Sequence, residues 1–127
     1  MLLYQIDAGC LTVHDGALPD FVAYGYSGLE ECKNRSSKAA IRGRGPIPPG
    51  TYKISPPRTS KQSGPITLDL TPMPGTNTFG RSAFEAHGDS LEHPGAASHG
   101  CIVLPKYARL KMVACQAAGD DLLTVVP

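Results

Sequence analysis

Residues 84–104, FEAHGDSLEHPGAASHGCIVL, hold three of the chain's four histidines, one of its four cysteines and three acidic side chains. Ser98-His99-Gly100-Cys101 runs straight into apolar Ile102-Val103-Leu104, so the thiol stands where a glycine-loosened loop enters a buried segment. Consecutive backbone N–H groups at such a bend can aim at one acceptor, which is how an oxyanion hole is built, and Gly100 lets the backbone approach a substrate carbonyl. A cysteine attacks as its thiolate, and a nearby imidazole favours that form. His99 adjoins Cys101, but neighbouring side chains of an extended segment face opposite ways. His87 is the better base, because a strand of its own can bring it to the thiol across a sheet. Its tautomer needs a partner, and the Gly88 carbonyl and the Asp89 carboxylate are the nearest candidates.

Two other readings compete. A lone cysteine ahead of apolar residues is commonly a buried structural thiol; the conjunction of HGD with SHGC, each flanked by glycine, favours the nucleophile. His87, Asp89, His93, His99 and Cys101 are also zinc-ligand types, yet no pair has the i, i+4 or CxxC spacing that orients ligands at low cost, so no metal and no cofactor is expected. His93, eight positions before Cys101, is the alternative base.

The elements that must position these groups read as short strands between turns. Leu2, Tyr4 and Ile6 alternate, Asp7-Ala8-Gly9 turns the chain and Leu11 and Val13 alternate again, which predicts a hairpin over 2–14. A third strand is expected from Phe21 to Tyr26, then a surface loop over 27–45 ending in Arg42 and Arg44. After the stiff Gly45–Gly50 turn, Thr51–Ile54 leaves as a strand that Pro56-Pro57 must stop. Ile66, Leu68 and Leu70 mark another strand, and Phe84 with Ala86 continues the period and delivers His87 to a strand end. The one helix follows Leu104, with Pro105 at its first position, Leu110, Val113, Ala114 and Ala117 on one face and Gly119 past its end. A last strand covers Leu122 to Val126.

At 127 residues the chain suits one domain, 1–127, with one core and one site. Twelve Lys and Arg against eleven Asp and Glu give a net charge of +1, which offers no field for nucleic acid or anionic lipid. No apolar run approaches a membrane span, and Asp7 interrupts the opening residues before a signal peptide's apolar region could form. Cys10, Cys32, Cys101 and Cys115 form no dense framework; any disulfide would join Cys10 to Cys32 or Cys115 and leave Cys101 free. Nothing requires more than a monomer.

SHGC with an upstream HG pair resembles the signature of L,D-transpeptidases. More closely, GRGPIPPGTYKI, FEAHGD and PGAASHGCIVLP in that order resemble the small L,D-transpeptidase effectors of type VI secretion systems. The resemblance implies a mostly β, sandwich-like catalytic domain with one short helix after the cysteine. It implies a peptidoglycan L,D-carboxypeptidase or L,D-transpeptidase that removes or exchanges the terminal D-alanine of tetrapeptide stems through a Cys101 thioester. His87 is then the base, Gly88 orients it, Ser98 is the serine of the SxGC element, and Gly100 and Cys101, with His99, supply oxyanion N–H groups. Asp89, Arg42, Arg44 and Arg81 have no motif assignment but are near enough in sequence to bind substrate. The implied partners are peptidoglycan stem peptides, the type VI machinery and a cognate immunity protein. The implied route is synthesis in the cytoplasm without a signal peptide, secretion, and action in the periplasm of a target bacterium. A housekeeping wall enzyme is the alternative, but Ile102-Val103-Leu104 after the cysteine and the short His-to-Cys interval favour the effector branch.

Overall fold

In the computed structural model, which describes residues 1–127, the first hairpin pairs β1 (Leu2–Gln5) with β2 (Cys10–Val13), Leu2 opposite Val13 and Gln5 opposite Cys10. Alternation sets which side chains go inward: Leu2, Tyr4, Ile6, Leu11 and Val13 are all buried. β3 (Phe21–Tyr24) pairs antiparallel with β2. The continuous strand expected over 21–26 breaks at Gly25, and β4 (Tyr26–Ser27) departs to pair elsewhere. Gly25 crosses so close to the opposite backbone that a Cβ there would collide with the Val103 carbonyl oxygen.

The remaining elements are β5 (Gly50–Ile54), β6 (Arg58–Ser60), β7 (Gly64–Pro72), β8 (Phe84–His87), β9 (Ile102–Val103), α1 (Lys106–Ala117) and β10 (Leu122–Val126). The strands form one sheet in the order β3-β2-β1-β10-β5-β7-β8-β9-β4, with β6 paired to β7. β3 and β4, at opposite ends of that order, are joined by Gly25 alone, so the sheet is nearly closed on itself. The mostly β fold with one short helix is thus as expected. Inside lies a cluster of 20 buried residues, where Tyr52 meets Phe84 edge to face at 5.6 Å.

The helix register departs from expectation. The buried face of α1 consists of Ala108, Arg109, Met112 and Cys115, while Leu110 is 46% exposed. Counting apolar side chains missed this register because Arg109 belongs to the inner face: its guanidinium donates to the carbonyls of Leu104 (3.1 Å), Pro65 (2.9 Å) and Ile66 (3.0 Å), which lets a charge replace an apolar contact. Pro105 caps the helix in extended conformation rather than opening its first turn. All four cysteines are free, so the conditional pairing of Cys10 with Cys32 or Cys115 is not formed, and Cys10, Cys32 and Cys115 pack as small buried side chains. The 27–45 segment is not wholly superficial either, since Ser27, Cys32 and Ala39 are buried around two 3-10 turns, Glu30–Cys32 and Ser36–Lys38.

Candidate functional site

β8 and β9 run parallel with Ala86 beside Ile102 and His87 beside Val103. Carried one residue back, that register sets Glu85 beside Cys101, and the two-residue period puts Glu85 and His87 on one face of β8. A carboxylate oxygen of Glu85, a ring nitrogen of His87 and the Cys101 sulfur all lie within 4.8 Å of one another.

The His87 ring is buried, with Nδ1 2.7 Å from the Gly88 carbonyl oxygen. A carbonyl only accepts, so Nδ1 carries the hydrogen and Nε2 keeps its lone pair. Asp89 does not share in this. Burial pushes its carboxyl up, but hydrogen bonds from the Tyr26 hydroxyl (2.6 Å) and the N–H groups of Gly95 and Ser90, with Lys33 nearby, outweigh that and hold it below the usual range. The same Tyr26 oxygen accepts from the Ala97 N–H at 2.9 Å, so Tyr26 and Asp89 together clasp the 89–97 loop.

The loop entering β9 is fixed by two side chains. Ser98, fully buried, donates to the Cys101 carbonyl at 2.6 Å and accepts from the N–H groups of Gly28 (2.8 Å) and Gly100 (3.3 Å). Arg81, 8% exposed, donates to four carbonyls: Ala39 (2.6 Å), Pro46 (2.8 Å), Gly45 (2.9 Å) and His99 (3.1 Å). Its guanidinium comes so near the chain that a Cβ on Gly100, at φ 141°, would strike it. His99 turns outward and donates from Nδ1 to the Gly43 carbonyl at 3.0 Å. The Cys101 N–H has no acceptor within the protein, whereas that of Gly100 is directed at Ser98.

Cys101 is half-buried, its sulfur 3.8 Å from the Ala83 carbonyl oxygen. Burial, with the Glu85 carboxylate adding to it, pushes the thiol up to about 11, against weaker downward pulls from the Glu85 N–H and Arg81. A thiol raised this far keeps its proton near neutral pH.

Cys101 stands between two depressions. Arg42, Arg81, His99 and Gly100 line one, a cleft of about 320 Å³; the other is an open groove of about 1340 Å³ on the side of Glu85 and His87. Arg42 reaches the cleft with one bond to the Gly80 carbonyl (3.2 Å). Arg44 is not brought to either: it is paired with Glu30 (3.0 Å) and Glu31 (3.1 Å). His93 is exposed on the groove's loop and outside the group around Cys101.

Sequence reasoning missed Glu85. Its oxygens accept from Arg58 (2.6 Å) and Ser63 (2.7 Å), and Arg58 also binds Asp69 (2.9 Å). The signal was available, since a residue two before His87 on a strand must share its face.

Among protein families, the Tlde1 domain matches residues 22–126, which contain every group just described. Neither the curated proteins nor the solved structures compared with the chain give a match.

Proposed function

Since the chain belongs to the Tlde1 domain family, the L,D-transpeptidase effectors of type VI secretion that target peptidoglycan, we propose that it is a cysteine acyl-transfer enzyme acting on tetrapeptide stems. The observation that carries this reading is the convergence of a half-buried thiol, an imidazole with a fixed tautomer and an unpartnered N–H on the thiol's own residue.

The raised thiol favours general-base attack over a preformed ion pair. His87 Nε2 takes the Cys101 proton as sulfur bonds to the carbonyl carbon before the terminal D-alanine. The carbonyl oxygen becomes an oxyanion facing the Cys101 N–H, with His99 and Gly100 shaping the turn behind it. As the C–N bond breaks, His87 returns the proton to the departing D-alanine amine and a thioester remains on Cys101. His87 then deprotonates water, which releases a tripeptide stem, or a D-amino acid or stem amine, which gives exchange or cross-linking.

Arg42 lines the cleft at the thiol with only one bond, to the Gly80 carbonyl, and in this reading its remaining N–H groups hold the carboxylate of the terminal residue. Arg81 has already spent four N–H groups on carbonyls and acts by holding the loop. Ser98 and Gly88 position the nucleophile and the base. Asp89 serves through the loop it clasps. An enzyme that attacks wall chemistry common to producer and rival calls for an immunity protein, and delivery by the type VI apparatus would bring it to the target's periplasm.

The test is mass spectrometry of muropeptides from tetrapeptide-stem peptidoglycan incubated with the wild type and with Cys101→Ala. Conversion of tetrapeptides to tripeptides, or exchange for added D-methionine, by the wild type alone supports the reading. Conversion by both proteins, or by neither, refutes it.

A further inference from the structure

We infer that Glu85, His87 and Cys101 form a binding site for a thiophilic divalent cation of the Zn²⁺ type, and that its occupancy switches the thiol off. Two of the donors come from alternate positions of β8 and the third from the residue just before the adjacent parallel strand β9, and the three lie within 4.8 Å of one another. Bond lengths of about 2.0–2.3 Å put the donors of a tetrahedral zinc site about 3.3–3.7 Å apart, so closing this group needs movements of about 1 Å. Glu85 and Cys101, the two less buried donors, would supply these by side-chain rotation towards the buried His87.

The groups behind the donors are those a metal site needs. His87 Nδ1 donates to the Gly88 carbonyl at 2.7 Å and leaves Nε2 for the metal, the arrangement that orients a ligating imidazole. Arg58 and Ser63 hold the Glu85 carboxylate from behind, one on each oxygen, and each oxygen keeps a second lone pair. The open groove on this side admits water to the fourth position. The soft thiolate and borderline imidazole beside the one hard carboxylate select Zn²⁺ over Mg²⁺ or Ca²⁺. This is not the set the sequence suggested: Asp89 is consumed by Tyr26 and the backbone, and His93 and His99 lie outside the group. The other cysteines are buried and offer no competing surface thiol.

A cation bound here takes the sulfur and the His87 lone pair at once, the two groups on which the acyl transfer proposed above depends. Its binding does not depend on that turnover, so the two ideas fail separately.

The experiment is equilibrium dialysis of reduced, metal-stripped protein against Zn²⁺, with Co²⁺ as a spectroscopic probe whose thiolate charge-transfer absorption reports sulfur ligation. We expect one Zn²⁺ per chain, affinity lowered at least tenfold in Glu85→Gln, and loss of the charge-transfer absorption in Cys101→Ser. Zn²⁺ should also protect Cys101 of the unaltered chain from iodoacetamide, read by peptide mass spectrometry, which requires no variant to fold. Absence of saturable Zn²⁺ binding, equal affinity in Glu85→Gln, charge-transfer absorption surviving in Cys101→Ser, or alkylation unaffected by Zn²⁺ would each overturn the site.

Discussion

Replacing Ser98 by alanine removes one oxygen from the base of the nucleophile loop, and the structure sets the cost. The hydroxyl serves the Cys101 carbonyl at 2.6 Å, the Gly28 N–H at 2.8 Å and, more loosely, the Gly100 N–H at 3.3 Å. Ser98 is wholly inaccessible, so water cannot take over these bonds. Stranding a buried polar group costs about 1–3 kcal/mol, and two are fully stranded here, so Ser98→Ala should destabilise by about 3 kcal/mol. With unfolding entropy of about 2.1 cal/mol/K per residue, a chain of 127 residues should then melt about 11 °C lower. Because the Cys101 carbonyl and N–H flank the thiol, loss of their anchor should also slow acyl transfer at temperatures where the variant is folded, by about tenfold or more. Urea and thermal unfolding, with D-alanine release assayed well below the melting point, measure both effects. A melting shift under about 3 °C would refute the claim that Ser98 is the loop's anchor, and unchanged turnover would refute the coupling between anchor and chemistry.

Four further expectations follow from the same geometry. Arg81→Met strands four carbonyls that its guanidinium now satisfies and should cost about 3–5 kcal/mol of unfolding free energy, read from urea titration; Arg81→Lys, with three donors, should fall between it and the wild type. Arg42→Gln should raise KM for tetrapeptide stems about tenfold with little change in kcat, a split read from steady-state D-alanine release; a fall in kcat alone would refute the carboxylate role. The Cys101 thiol, pushed up to about 11 by burial and Glu85, should be alkylated ever faster as pH rises towards that value, and in Glu85→Gln the inflection should move to lower pH. Because the folded value lies above the unfolded value of 9.0, the native state keeps its proton longer, and this group's contribution to stability is intact below about 9 and lost as pH rises through about 11. Urea midpoints that did not fall between pH 8 and pH 10.5 would contradict it.

Much of the fold was legible because period-two patterns are local: Leu2, Tyr4 and Ile6 announced β1, Leu122–Val126 appears as β10, and the strand carrying His87 ends where the pattern said it would. What failed depends on tertiary partners. Gly25 reads as an ordinary strand glycine until the Val103 carbonyl is placed against it and the sheet is seen to close there. The register of α1 was lost because Arg109 is buried against three carbonyls that lie in other segments. At the site, the motif singled out Cys101 and His87 together with Gly88 and Ser98, because each pair is adjacent or nearly so in sequence, one at the end of β8 and the other in the loop into β9. Glu85 was passed over although the strand period pointed at it. The arginines could not be ranked from sequence, since whether a guanidinium keeps most of its donors, as at Arg42 with its one carbonyl bond, or is committed, as at Arg81 and Arg44, is decided by carbonyls and carboxylates far along the chain.

The central claim is that Cys101 carries the acyl group, and a rapid acid quench of the enzyme turning over a tetrapeptide stem tests it directly. Intact-protein mass spectrometry should show one tripeptide-stem adduct, peptide mapping should place it on Cys101, and D-alanine should appear in equal amount in the first turnover. Release of D-alanine without any adduct, together with continued turnover by Cys101→Ala, would contradict the account.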